Sequence, residues 1–271
     1  MEIDKEKCVG CGNCHAVCTM GAISLDEDGK SIVNQDQCVE CSVCYRFLKD
    51  ERYWPWMVRA IRRLLSVFRL GYLADVDVCP TGALTPPVLE WPRSLRGMFS
   101  DPTTIHPGTG LYGRGTEEIK SNDVTGRLRK GEAGLVVEMG RPGIGAFLWD
   151  IEKVAMALAR LNADFEAKNP VTQLMDDTRT GKIKDEVLNE KVLSAIIEIK
   201  VKLERIPDFL QALAKVQKEV DTVISVGVAS RCLPDGSIPH EEWVRKAGYA
   251  LSLNGKTNLG LGRPLFKETE A

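Results

Sequence analysis

The chain is 271 residues long, 44% apolar and 27% charged, with a formal net charge of −2. That length suits one large domain or two to three small ones, and the apolar fraction excludes a disordered chain. The near-neutral balance excludes a strongly basic nucleic-acid binder, and no apolar run reaches the roughly 18–20 residues that cross a bilayer. Neither a nucleic-acid partner nor a transmembrane segment is expected. The opening MEIDKEKCVG has no apolar h-region, so no secretory signal is read and a cytoplasmic location is expected. In a reducing compartment, clustered cysteines are read as metal ligands or redox groups rather than disulfides, and this chain has nine.

Eight of the nine form a repeat. Cys8-x2-Cys11-x2-Cys14-x3-Cys18 is followed by Cys38-x2-Cys41-x2-Cys44. The fourth cysteine of the second set arrives at Cys79, where CPTGAL matches the CTMGAI that begins at Cys18. Residues 8–25 and 38–86 therefore read as two copies of one unit, the second with about 31 extra residues before its last cysteine. Three thiolates at x2 spacing wrap one face of an iron–sulfur cubane, because a tight loop brings each sulfur to a different iron. The fourth ligand then comes from elsewhere in the chain. Other chemistries fit less well. Zinc prefers two separated CxxC pairs, disulfides need an oxidising compartment, and no further x2 cysteine follows Cys14-x3-Cys18 to make a radical SAM triad.

Over residues 1–86 this pattern resembles the bacterial two-[4Fe–4S] ferredoxin family. The resemblance implies two [4Fe–4S] clusters. In that family the fourth cysteine of each run serves the other cluster. Carried over, Cys8, Cys11, Cys14 and Cys79 hold one cluster, and Cys38, Cys41, Cys44 and Cys18 the other. Two departures stand out. Thr19 replaces the proline that follows the fourth cysteine, restoring an N–H donor beside the cluster, and N–H···S bonds favour the reduced form. A raised potential is the expected consequence. The second departure is the insert at 45–78.

Within the insert, Pro55 suits a helix first turn, and Met57, Ile61, Leu64, Leu65 and Phe68 recur at helical spacing. Arg59, Arg62, Arg63 and Arg69 fall largely on other faces, and Gly71 reads as a stop. Trp54 and Trp56 flank this amphipathic, basic helix. Its stripe has three possible uses: packing on the ferredoxin body, docking an acidic redox partner over residues 52–69, or lying on a membrane surface.

Residues 87–132 are rich in Pro, Gly and charge and read as an irregular connector. Gly108-x-Gly110-x-x-Gly113 has the form of a dinucleotide fingerprint. No strand precedes it and no amphipathic helix follows at once, so it reads as turn chemistry. His106 reads as an ordinary loop residue.

Beyond the connector the periods sharpen. GLVVEMG reads as a strand. GAFLWDIEKVAMALARLN reads as a helix with Phe147, Ile151, Val154, Leu158 and Leu161 on one face. ADFEAKN alternates as a half-buried strand, and residues 170–193 form a longer, partly helical excursion. AIIEIKVKLE sets Ile197, Ile199, Val201 and Leu203 against Glu198, Lys200, Lys202 and Glu204. A second helix aligns Phe209, Leu213, Val216 and Val220, and TVISVGVAS reads as the last strand. The order is βαββαβ, a four-stranded antiparallel sheet with two helices on one face, so the fold class of the whole chain is α+β.

Over residues 133–231 the strand, R-P-G turn and helix resemble the start of an ACT domain. The resemblance implies an effector site lined by Arg141, Pro142, Gly143 and Gly145, often at a dimer interface. Pro-Gly is also a common strand-to-helix turn, and the same sheet suits assembly with a second copy or an enzyme subunit. Cys232 reads as a buried or partly buried free thiol, and residues 232–271 as a glycine-rich extension.

The expected function is a relay of low-potential electrons through the two clusters to or from a partner oxidoreductase, in anaerobic metabolism. The alternative is a redox- or ligand-responsive regulator. No nucleophile or acid–base pair is evident, and only three histidines are present, so catalysis by the chain alone is not expected.

Overall fold

Short antiparallel pairs flank each cysteine run. In this computed structural model residues 1–46, 55–68, 78–108, 110 and 126–252 are described. They divide into two units, Met1–Gly97 and Met98–Ala271.

The first unit runs β1 (Glu2–Ile3), α1 (Asn13–Val17), β2 (Ile23–Leu25), β3 (Ser31–Val33), α2 (Val43–Arg46), α3 (Pro55–Val67), β4 (Leu84–Thr85) and the start of α4 (Ser94–Ser100). β1 pairs with β4 and β2 with β3, both antiparallel. The repeat begins earlier than the cysteines. Asp4 Oδ1 accepts the N–H groups of Glu6 and Lys7, and its carbonyl accepts that of Cys8. Asn34 does the same for Asp36, Gln37 and Cys38. A small core of Met1, Cys14, Ile23, Cys44, Val78 and Leu84 lies between the two halves.

α3 starts at Pro55, as its sequence predicts. Trp56, Met57, Ile61, Leu64, Val67 and Phe68 are exposed along it. Packing of this stripe on the ferredoxin body is therefore not what the described residues show. Trp54, Arg69 and Gly71 lie outside the described residues, as do the side chains of Arg59, Arg62 and Leu65.

The second unit contains β5 (Glu132–Met139), β6 (Ala146–Phe147), α5 (Leu148–Ala159), β7 (Asp164–Phe165), α6 (Pro170–Gln173), β8 (Met175–Asp177), β9 (Lys182–Ile183), β10 (Lys191–Val192), β11 (Ala195–Lys202), α7 (Ile206–Val216), β12 (Ile224–Ser230) and α8 (Pro239–Lys246). Its main sheet is antiparallel, in the order β12-β5-β11-β7. The sequence of β5, α5, β7, β11, α7 and β12 is the expected βαββαβ. Leu135 and Val137 face Ile199 and Ile197 across the central pair, all fully buried. Ile151, Val154 and Leu158 of α5 and Phe209, Leu213 and Val216 of α7 are buried, and the two helices pack on each other.

Three details differ from the sequence reading. α5 begins at Leu148, because Ala146 and Phe147 pair instead with β10. Glu198, expected on the solvent side of β11, is buried, with Asn169 Nδ2 3.3 Å from its carboxylate. Residues 94–100, within the expected irregular connector, are helical.

The loop at the fingerprint-like glycines is a turn around His106. Gly110 N–H donates to the His106 carbonyl at 2.8 Å, and Gly108 N–H to its Nδ1 at 3.3 Å. Gly113 lies outside the described residues. His106 is buried, edge-on to Phe99. Burial holds His106 and His240 below the ordinary imidazole value of 6.5. Below that value the unfolded chain takes up protons that the folded unit refuses, so stability is retained above pH 6.5 and lost as the pH falls. The urea midpoint of this unit is expected to drop from pH 7.5 to 5.5, by up to about 1.4 kcal/mol per pH unit per histidine. His106→Gln should flatten that dependence. An unchanged slope would count against it.

Candidate iron–sulfur site

Two cavities in the first unit gather the eight repeated thiols. One is lined by Cys8, Cys11, Cys14 and Cys79 together with Ile3, Ser31 and Leu84. The other is lined by Cys18, Cys38, Cys41 and Cys44 together with Met1, Ile23 and Val33. Each cavity takes three thiols from one repeat and the fourth from the other.

The loops curl tightly because two residues in each adopt positive φ. In the first they are Gly10 and Gly12, at 66° and 76°. A Cβ on Gly10 would sit 2.1 Å from the Gly29 carbonyl oxygen, so the hairpin turn excludes any side chain there. In the second repeat Glu40 and Ser42 hold the same conformation, at 53° and 56°. α1 then carries Cys14 and α2 carries Cys44, both buried.

The sulfurs have repeated donors. Ala22 N–H reaches Cys18 Sγ at 3.2 Å, and Ala83 N–H reaches Cys79 Sγ at 3.1 Å. Ser31 N–H reaches Cys8 Sγ at 3.4 Å, and the Met1 amine lies 3.9 Å from Cys38 Sγ. The Thr19 contact is through its side chain, whose Oγ1 lies 3.8 Å from Cys41 Sγ; the sequence had pointed to its main-chain N–H.

Thiol acidity follows these surroundings. Burial works to raise Cys8 and Cys79, but donors at Ser31 and Gly10 for the first, and at Thr81 and Ala83 for the second, outweigh it and hold both below the ordinary value. Burial raises Cys14 and Cys38. Burial, then the neighbouring Cys41, pushes Cys44 up to about 12.

The residues present fit an iron–sulfur cluster in each cavity: four soft thiols, an apolar lining, and N–H donors at sulfur distance. No disulfide joins the nine cysteines. Among the described residues no three His, Cys, Asp or Glu side chains close on a single-ion site. A cubane spreads its thiolates over four irons, so its ligands stand farther apart than those of one ion.

A supporting network was missed by sequence reasoning. The Glu40 carboxylate, 2% exposed, takes the Met1 amine and the Arg93 guanidinium. Burial acts to raise the Glu40 carboxyl, but these two cations outweigh it and hold it below its ordinary value. Arg96, also buried, donates to the Gln35 and Cys38 carbonyls at 2.8 Å each. These arginines pin the loop leading into Cys38. The available signal was the short SLRGMF run, which is long enough for only two helical turns.

The remaining candidate residues belong to the second unit. Arg141, Pro142 and Gly143 are exposed and Gly145 is buried, in the turn between β5 and β6. Gly145 N–H closes that turn on the Gly140 carbonyl at 2.9 Å, and Arg141 Nε lies 3.2 Å from the Glu138 carboxylate. Cys232, expected to be buried or partly buried, is instead exposed, because it follows the end of β12. Among the described residues no helix is long and apolar enough to cross a membrane.

Comparison with known proteins bears on the first unit. Residues 1–24 match the family model of the 4Fe-4S binding domain. The chain is 45% identical over 42 residues to pyruvate synthase subunit PorD of Methanocaldococcus jannaschii, covering 16% of this chain and 49% of that protein. It is 44% identical over 41 residues to ferredoxin-1 of Rhodobacter capsulatus, covering 15% and 62%. An uncharacterized ferredoxin of M. jannaschii is 40% identical over 45 residues, covering 16% and 58%. The chain thus spans about half to three-fifths of the length of these curated relatives. No solved structure matches it. Residues 1–24 therefore form a 4Fe–4S ferredoxin-type domain at the head of an α+β chain.

Proposed function

We propose that the chain is an iron–sulfur electron-transfer protein that relays low-potential electrons through two [4Fe–4S] clusters to or from a partner oxidoreductase. The observation that carries this reading is the gathering of eight thiols into two crossed sets of four. Cys8, Cys11, Cys14 and Cys79 hold one cluster, and Cys38, Cys41, Cys44 and Cys18 the other. When bound, each supplies a one-electron redox couple. The chain's own residues exclude water with Ile3, Ile23 and Leu84 and aim N–H donors at the sulfurs. Residues 1–86 are the relay, 87–132 a connector, 133–231 an ACT-like module and 232–271 an extension.

One relative is a pyruvate synthase subunit by name, which supports an oxidoreductase as the partner. The docking element in this reading is the basic insert at 52–69, whose helix exposes apolar side chains. The location is cytoplasmic. Reconstitution with iron and sulfide is expected to give about eight irons per chain, bleached by dithionite. Fewer than about seven irons, or no bleaching, overturns the proposal.

Thr19→Pro removes the hydroxyl beside Cys41. It is expected to lower the potential of the cluster that Cys41 holds by about 20–40 mV, the equivalent of one hydrogen bond of about 0.5–1 kcal/mol. The other potential should hold. Voltammetry showing both unmoved would remove the role given to Thr19.

The second reading, a ligand-responsive regulator, is favoured by the βαββαβ sheet order and the turn at Arg141–Gly145. A homodimer through this sheet would use the seven-residue edge strand β12. Calorimetry against an amino-acid panel decides it, and no heat of binding removes its support.

A further inference from the structure

The two halves of the first unit can be compared position by position, and they differ at more than one place beside the sulfurs: Thr81, whose Oγ1 lies 3.5 Å from Cys79 Sγ, stands where the first repeat has Met20. Seven residues before the first cysteine stands Met1 in one half and Ser31 in the other. Ser31 is 3% exposed and lines the first cavity. Besides its N–H to Cys8, its Oγ lies 3.4 Å from Cys14 Sγ and 3.1 Å from His15 Nε2. With the imidazole donating to the hydroxyl oxygen, the hydroxyl proton points at Cys14. Met1 lines the second cavity with a side chain that has no hydroxyl, and its amine is engaged by Glu40. Near that set Thr19 Oγ1 stands farther from its sulfur, at 3.8 Å, and Ser42 also lines the cavity.

Exposure acts in the same direction. Cys11 of the first set is exposed, whereas each thiol of the second is half-buried or buried. Water at a thiolate and hydrogen bonds to it both favour the more negative, reduced state. Nearby cations could reverse this, since the Met1 amine and Arg93 lie beside the second set. Both are met by Glu40, and Arg96 is directed at carbonyls.

We infer that the two sites differ in affinity for an electron, that the Cys8, Cys11, Cys14 and Cys79 site has the higher potential, and that the Ser31 hydroxyl sets much of the difference. This rests on the two-cluster reading above. A first electron from a low-potential one-electron donor settles at that site, and a second fills the other. No bond forms or breaks, and no proton is required. Within the chain, electrons then run from the Cys38, Cys41, Cys44 and Cys18 site towards the Ser31 side.

The test is a redox titration of the reconstituted full chain, followed by electron paramagnetic resonance, with iron counted on the same sample. The wild type should show two resolved one-electron steps. Ser31→Ala should make the upper step about tenfold harder to reduce, a fall of about 59 mV, and leave the lower step in place. Ser31→Thr, which keeps the hydroxyl, should restore it. Thr19→Val should move only the lower step. Two coincident steps in the wild type, or a Ser31→Ala change in the lower step or in neither, overturn the inference with about eight irons still bound. A count near four irons overturns the two-cluster reading instead, and the inference with it.

Discussion

Alanine at Cys18 is expected to halve the bound iron, and the half that is lost should be the one held by Cys38, Cys41 and Cys44. Cys18 sits in sequence with Cys8, Cys11 and Cys14, yet it lines the cavity of the other set. A cluster short of one thiolate is labile, so the content should fall from about eight irons per chain to about four. Cys79→Ala should do the converse and empty the cavity shared with Cys8, Cys11 and Cys14. Alanine is preferable to serine, whose oxygen can itself ligate iron. Iron assay and the paramagnetic signal of the surviving cluster check both variants. Loss of the Cys8, Cys11 and Cys14 signal in Cys18→Ala would show that the sets are not crossed. Stability should fall too, because metal binding is coupled to folding in so small a core.

Glu40→Ala should be the most damaging substitution outside the thiols. It leaves the Met1 amine, 2% exposed, and Arg93 without their shared carboxylate. Breaking a buried pair from one side costs about 3–5 kcal/mol, far more than an exposed pair is worth. Relief of the positive φ at position 40 offsets little of this, since alanine is strained there as well. Glu40→Gln keeps the shape without the charge and should lie between. The urea midpoint of the reconstituted chain measures both. A loss under about 1 kcal/mol would show that the pair contributes as weakly as a surface one.

The features legible in the sequence were those fixed by local chemistry. Three thiols at x2 spacing with a fourth at x3 match a cluster-binding run, so Cys8 to Cys18 declared a site before any fold was known. Period-two alternation marked residues 195–204 as a strand and helical period marked 207–220 as a helix; the elements formed are 195–202 and 206–216. What escaped was fixed by distance. Glu40 reads as a charge in a loop, and only its meeting with Met1 and with Arg93, far along the chain, makes it structural. Glu198 reads as solvent-facing, and Asn169 buries it from a separate segment. The strands at 146–147 and 191–192 are two residues each, too short to carry a period, and exist because they pair with each other. α4 has the same problem at seven residues.

The insert also bears on how freely this unit can vary. Residues 45–78 stand where three residues, 15–17, stand in the first repeat. As a polymer problem, closing the longer connection onto Cys79 costs only the logarithm of that ratio, about 2 kcal/mol. The thiol at its far end is met by the Ala83 N–H as firmly as its counterpart Cys18 is by Ala22. Length between the third and fourth cysteines is therefore a nearly neutral variable. Lineages could lengthen, shorten or exchange this segment while both thiol sets stay in register.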